Sequence, residues 1–175
     1  PKLRWIHTHY AGVDHLLERP IVQSEGVMLT NASGIHTTNI AEYVFMMMLA
    51  FGHRLPYMQR NQAEANWPEK AWQNHIPLEL RDSTVGIVGY GSLGREIARI
   101  SRTFGMEVLA VKRDVRQPAA SDAFVFPGTG DPEGDFFHRL YPPEALVSMA
   151  RECDFVVITV PLTESTRLMF DADAF

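Results

Sequence analysis

Residues 84–95 read Thr-Val-Gly-Ile-Val-Gly-Tyr-Gly-Ser-Leu-Gly-Arg. This stretch restricts the fold more than any other. An apolar run over 85–88 has the length of a buried strand. It leads straight into Gly89, Gly91 and Gly94, spaced G-x-G-x-x-G. A helical repeat follows, with Leu93, Ile97, Ile100 and Phe104 on one face, and Gly105 is placed to end that helix as a left-handed cap. Residues 106–111 form a second apolar run of strand length. The sequence predicts a strand–turn–helix–strand unit with the glycines in the turn.

That arrangement suits a pyrophosphate. Gly89 permits a tight turn, Gly91 lets a phosphate approach the backbone, and Gly94 lets the helix pack on the strand. Ser92 and Leu93 would then offer backbone N–H groups at the positive end of the helix. The glycine spacing alone is a weak sign, but its flanks match the context a dinucleotide site requires. The bland alternative is a glycine-rich turn in an unrelated α/β domain.

The end of the second strand bears on which dinucleotide. Units that bind NAD usually carry Asp or Glu there, to hold the ribose 2′-hydroxyl. Here Lys112 and Arg113 stand at that end, with Asp114 one residue later. Two cations suit a 2′-phosphate, so the expectation leans to NADP over NAD. In the alternative, the two cations are a solvated turn and Asp114 reaches the ribose.

Composition narrows the field. The 175 residues suffice for one domain or two small ones, and the 46% hydrophobic content is ordinary for a globular protein. A net charge of −5 without a basic block argues against nucleic acid and anionic membranes as partners. No apolar run reaches transmembrane length. The single cysteine, Cys153, fits a reducing, cytoplasmic setting and reads as a buried inert thiol. The chain opens at Pro1 within what reads as a strand and stops at Phe175 within what reads as a helix, so a fragment of a longer protein is expected.

Elsewhere, strands are expected over 3–8 and 27–31, with a turn at 10–14 and a short helix between them. Asn39 and Glu42 look like a capping pair at the start of a long helix. Residues 44–51 are apolar on every face, which predicts deep burial or an interface, and Pro56 should kink or break the helix. Residues 62–77 read as a surface excursion anchored by Trp67 and Trp72. Over 127–134, Gly or Pro fills five of eight positions, so a plain surface loop is expected. A helix near Pro142 or Pro143 turns Leu146 and Met149 inward, and a strand over 155–160 follows. Val160, Pro161 and Thr166 then fall at its carboxyl end, the side on which α/β sheets bind ligands. The fold class is therefore α/β, with a largely parallel sheet.

Four stretches together resemble the D-isomer-specific 2-hydroxyacid dehydrogenases. They are Leu-Arg-Trp-Ile at 3–6 with Ala-Gly-Val-Asp at 11–14, Asn-Ala-Ser-Gly-Ile-His-Thr-Thr-Asn-Ile-Ala-Glu at 31–42, residues 85–106, and residues 153–168. The resemblance implies the end of a flavodoxin-like substrate domain over 1–33. Over 34–175 it implies part of a Rossmann-like NAD(P) domain, a parallel sheet with helices on both faces. It also implies that Ala11, Gly12 and Val13 form the turn that binds the substrate carboxylate; successive amides make an anion nest. Gly89, Gly91, Ser92, Leu93 and Gly94 become the phosphate loop, Lys112 the ribose position, and Pro161 and Thr166 the cofactor-lining loop. The helix over 39–55 becomes a homodimer contact.

The family's catalytic Arg, acid and His belong to segments beyond Phe175, so no catalytic residue is assigned. The piece taken alone is expected to be inactive. Of seven histidines, His7 and His9 share a strand face, but no ligand set of metal spacing accompanies them; no metal is expected. His9 borders the expected substrate turn and His36 lies near the helix entry, where either could line the cleft, but structural or surface histidines are the preferred reading. Three functions compete. The first is an NAD(P)-dependent oxidoreductase acting on a small 2-oxo or 2-hydroxy acid, of the glyoxylate or hydroxypyruvate reductase kind. The second is a non-catalytic NAD(P)-binding regulator of the corepressor type. The third is a methyltransferase, which would want an acid where Lys112 stands.

Overall fold

The computed structural model describes residues 2–70, 73, 75–120 and 124–171; Trp72 and Phe175 lie outside them. A four-stranded parallel sheet organises most of the chain. Its strands are β3 (Thr84–Val88), β4 (Glu107–Val111), β5 (Arg139–Tyr141) and β6 (Phe155–Ile158), in the spatial order β5-β4-β3-β6. Val88 lies opposite both Val111 and Ile158. The carboxyl ends of the three neighbouring strands are therefore level, and the glycine turn leaves from the central one.

Alternation along the strands builds two cores. Val85, Ile87, Val108 and Ala110 face α2 (Thr37–Gly52) and α4 (Ser92–Thr103), where they meet Ala41, Phe45, Met48 and Ile97. Val88, Leu109 and Val111 face the other way, onto Leu146 and Met149 of α5 (Leu146–Ala150). Helices thus cover both faces, as in a Rossmann-like fold. Each fully buried branched side chain contributes about 1.5–3 kcal/mol. Gly86 leaves room where α5 comes closest, since a Cβ there would lie 2.5 Å from Met149 Sδ.

The helix after the glycine turn ends as its sequence predicts. Gly105 has φ +75°, its N–H donates to the Arg102 carbonyl, and the Met106 N–H donates to Ser101. That pair of bonds is a Schellman cap. Phe104 stacks on Phe45 at 5.2 Å between ring centres.

Three expectations about these elements need correction, and one strand was not foreseen. First, α2 begins at Thr37 with His36 at the cap position and no side-chain cap, so Asn39 and Glu42 form no capping pair. The Thr37 hydroxyl instead donates back to the Gly34 carbonyl at 3.0 Å. Second, α2 stops at Gly52. Arg54 takes a left-handed φ of +54°, and Pro56 sits in the first turn of a separate helix, α3 (Leu55–Ala63), where a proline costs no hydrogen bond. Only one face of α2 is buried here; Tyr43, Met46 and Phe51 are exposed. Third, Trp67 anchors nothing, being 90% exposed. The unforeseen strand is β5, because three residues, Arg-Leu-Tyr, carry too little periodicity.

At the other end of the chain, β1 (Trp5–Thr8) and β2 (Met28–Asn31) make a parallel pair, with α1 (Asp14–Leu17) between them. This pair buries little. Trp5 and Met28 lie opposite one another and both are exposed.

Candidate functional site

The turn from β3 into α4 is bare backbone held in one shape. Gly89 has φ +103°, its N–H donates to Val111 at 3.0 Å, and its carbonyl accepts the Thr159 hydroxyl at 2.7 Å. A side chain there would press on Val160, which places Val160 beside the turn. A Cβ on Gly94 would collide with the Gly89 carbonyl, whereas one on Gly91 would meet nothing within 4 Å. The two glycines therefore serve different ends. Gly94 lets the helix close on the strand, and Gly91 keeps the outer side open.

No side chain caps α4, and no carbonyl among the described residues takes the N–H groups of Ser92, Leu93 or Gly94. Ser92 and Leu93 are partly exposed and Gly91 is exposed. Unpaired amides at a helix N-terminus carry a partial positive charge. The turn therefore fits a diphosphate, and such a group would lie against Gly91, Ser92 and Leu93.

At the end of β4, Lys112 is partly buried. Its ammonium donates to the carbonyls of Gln117 and Ala119. Burial, with Arg95 nearby, lowers its pKa below the ordinary lysine value. Lys112 thus folds the following loop around itself, while Arg113 and Arg116 remain exposed. Asp114 is engaged locally, accepting the Arg116 N–H at 3.0 Å.

The Gly/Pro stretch is not the plain surface loop that its composition predicts. Asp131, at its centre, is 1% exposed. Its carboxylate accepts the Tyr90 hydroxyl at 2.6 Å and the backbone N–H groups of Gly134, Asp135 and Phe136 at 3.0–3.1 Å. Burial opposes the charge, but these hydrogen bonds outweigh it and hold the carboxyl below its usual pKa. Tyr90, the residue between the first two glycines of the turn, is 2% exposed. Burial first, and Asp131 second, push its phenol well above the ordinary range.

Two buried charges on α4 complete the attachment. Arg95 lies 4.8 Å over the Tyr90 ring and donates to the carbonyls of Asp131 and Pro118. Glu96 accepts two bonds from Arg99 and one from the Gly130 N–H at 2.6 Å. Sequence reasoning missed this network. The one available signal was a pair of charges, Arg95 and Glu96, next to Ile97 on a helix that must face the sheet.

The remaining candidates are placed as follows. Pro161 is exposed, and the Thr166 hydroxyl donates to the Pro161 carbonyl at 2.6 Å, closing the loop after β6 on itself. Ala11 and Gly12 are exposed at the turn before α1. Among the described residues, the N–H groups of Gly12 and Val13 have no hydrogen-bond partner. Asn31 steadies that turn by donating to the Ala11 carbonyl at 2.7 Å. His9 packs against Tyr10 beside it, with ring centres 4.0 Å apart and planes tilted by 37°. His7 instead shares the Thr30 hydroxyl with Trp5.

Among the described residues, no three His, Cys, Asp or Glu side chains gather as a metal site. Cys153 donates to the Met149 carbonyl, and burial raises its thiol pKa to about 11, so it is a poor nucleophile. A hollow of about 540 Å³ lined by Phe51, Arg54, Tyr57 and Arg60 includes no residue of the glycine turn. Among the described residues, no helix is long and apolar enough to cross a membrane.

Comparisons with known proteins agree with this geometry. A family model described as "D-isomer specific 2-hydroxyacid dehydrogenase, NAD binding domain" matches residues 45–175. A glyoxylate reductase of Thermococcus kodakarensis is 28% identical over 99% of this chain and 48% of its own length. A hydroxypyruvate reductase of Thermotoga maritima is 29% identical over 87% of this chain and 42% of its own. Among solved structures, a D-isomer specific 2-hydroxyacid dehydrogenase family protein from Aeromonas salmonicida superposes with a TM-score of 0.75 at 31% identity, covering 98% of this chain and 48% of that one. An NADPH-dependent glyoxylate/hydroxypyruvate reductase from Sinorhizobium meliloti, solved with NADP and sulfate, gives 0.74 at 27% identity, covering 99% and 48%. The chain thus spans about half the length of the curated relatives it matches. With an uncapped, glycine-opened turn at the level carboxyl ends of a parallel sheet, the chain belongs to the D-isomer specific 2-hydroxyacid dehydrogenase family.

Proposed function

We propose that the intact protein is an NAD(P)-dependent oxidoreductase that moves hydride between the nicotinamide and a small 2-oxo or 2-hydroxy acid, in the manner of a glyoxylate or hydroxypyruvate reductase. One observation carries the reading: the amides at the start of α4 have no partner among the described residues, and Gly91 leaves the space before them open. Anions bind at such helix ends.

In this reading Gly91, Ser92 and Leu93 hold the diphosphate, and Gly89 and Gly94 shape the turn. Arg113 and Lys112 stand at the ribose, where exposed Arg113 favours NADP over NAD. Val160, Pro161 and Thr166 line the coenzyme. When bound, the coenzyme supplies the hydride. Gly12 and Val13 hold the substrate carboxylate through their N–H groups, which have no partner among the described residues. Residues 1–33 close the substrate domain, and residues 34–175 belong to the coenzyme domain. The exposed Tyr43, Met46 and Phe51 of α2 form the contact in a homodimer. One cysteine and no basic block suit a cytoplasmic enzyme.

The test is titration of the intact protein with NADPH and with NADH, followed by glyoxylate-dependent oxidation of whichever binds. Submicromolar to micromolar binding, tighter for NADPH, with turnover of glyoxylate, is expected. Binding of neither dinucleotide sinks the reading; tighter binding of NADH sinks the coenzyme preference alone.

A further inference from the structure

The buried network around Asp131 links the two ends of the coenzyme site. Tyr90 lies inside the glycine turn and ends on the Asp131 carboxylate. Arg95 spans from the Asp131 carbonyl to the carbonyl of Pro118. Pro118 belongs to the loop after β4, which also carries Arg113 and Arg116.

Three further contacts fasten the same loop. The Ala120 N–H donates to Pro132 at 2.9 Å. Gly134 packs so closely on the Pro118 carbonyl that a Cβ would collide with it. Lys112 holds the carbonyls of Gln117 and Ala119 from inside. The loop that carries the exposed cations is thus held on one side by its own strand and on the other by the Asp131 segment.

We propose that Arg95 and Asp131 are positioning residues for coenzyme choice: they hold the loop over 113–120 in the one shape that presents Arg113 and Arg116 to a 2′-phosphate. The inference rests on the coenzyme reading above. Its physical basis is preorganisation. A phosphate held by two arginines on a loose loop must order that loop first, and the ordering cost is subtracted from affinity. A ribose 2′-hydroxyl gains little from those cations and loses little when they wander. The guanidinium of Arg95 suits the task because its planar fork reaches two carbonyls at once, which an ammonium cannot do with the same geometry. Asp131 supplies the fixed partner on the far side. Its own carboxylate is saturated by four donors, so it is not available to the ligand.

The test compares NADPH and NADH dissociation constants, and kcat at saturating coenzyme, for the intact protein and for Arg95→Lys and Asp131→Asn. The expected result is a loss of about tenfold in NADPH affinity, a change of twofold or less for NADH, and kcat within twofold. Equal losses for both dinucleotides would mean that the network supports the fold alone, and would overturn the proposal. Should both variants fail to fold, hydrogen exchange on the unmodified protein decides. The Ala120 amide must exchange slowly before any coenzyme is added, and rapid exchange there overturns the proposal. If the unmodified protein binds neither dinucleotide, the coenzyme reading itself has failed, and the two failures are told apart by that first titration.

Discussion

Two glycine-rich stretches of this molecule solve the same physical problem in opposite ways. Around residues 89–94 the backbone turns, exposes a cluster of N–H groups at the head of α4, and leaves them without an acceptor among the described residues. Around residues 128–136 the backbone also turns, with Gly128, Gly130 and Gly134 all at positive φ, and again gathers N–H groups. There, however, the Asp131 carboxylate occupies the nest, taking Gly134, Asp135 and Phe136 together. Glycine content therefore marks where amides converge. Whether the nest is a binding site depends on whether the chain supplies its own anion.

Substitutions can break this contrast. The largest effect is expected from Asp131→Ala, which empties the second nest. The buried Gly134 N–H, the partly buried N–H groups of Asp135 and Phe136 and the Tyr90 hydroxyl lose their acceptor, and Arg95 loses the favourable charge of Asp131. A loss of about 3–5 kcal/mol is expected from breaking such a buried network, measured by urea unfolding of the intact protein. A loss under about 1 kcal/mol would show that water replaces the carboxylate and that the two nests are alike.

Gly94→Ala comes next. Its methyl group would collide with the Gly89 carbonyl, and overpacking of that kind costs about 1–3 kcal/mol. It should weaken dinucleotide binding as well, since the turn and the helix must separate.

Gly91→Ala sharpens the comparison from the other side. Gly91 has φ −91°, which any residue tolerates, and open space around it. Stability should stay within about 0.5 kcal/mol. Coenzyme affinity should fall about tenfold, or about 1.4 kcal/mol, because in the proposed reading the methyl would stand where the diphosphate approaches. An unchanged dissociation constant would place the phosphates elsewhere.

The smallest expected effect concerns acid. Asp131 and Glu96 are both held below their ordinary pKa values: burial works against each charge, but hydrogen bonds outweigh it, from Tyr90 and the backbone for Asp131 and from Arg99 and Gly130 for Glu96. A depressed carboxyl contributes stability that is complete above its unfolded pKa and drains away as pH falls through the folded value. Hydrogen exchange at Gly134, Asp135 and Phe136, corrected for intrinsic rates, should therefore show full protection at pH 6 and lose it only below about pH 4. Loss of protection nearer neutrality would contradict the carboxylate-filled nest.

The residue pattern by itself determined the central unit: β3, the glycine turn, α4 with its Gly105 cap, and β4. It did so because every signal there is local. A strand-length apolar run, fixed glycine spacing and a helical stripe all lie within about 30 residues of one another; the resemblance to the dehydrogenase family rests on this stretch taken in order with those at 3–14, 31–42 and 153–168. The strands near 5–8, 28–31 and 155–158 and the helix around Leu146 were legible too; tertiary structure decided what the pattern misread. The helix over 39–55 divides at Gly52 because Gly52 and Leu78, far apart in the chain, meet there backbone to backbone. The stretch over 127–134 reads as solvent-facing because its composition is polar, yet it is buried because its partners, Tyr90 and Arg95, lie more than thirty residues earlier. Local pattern reports which backbone shapes a segment can adopt. Only the folded chain brings together the opposite charge or donor that turns a buried Asp131 from an unpaired cost into a fixed anchor.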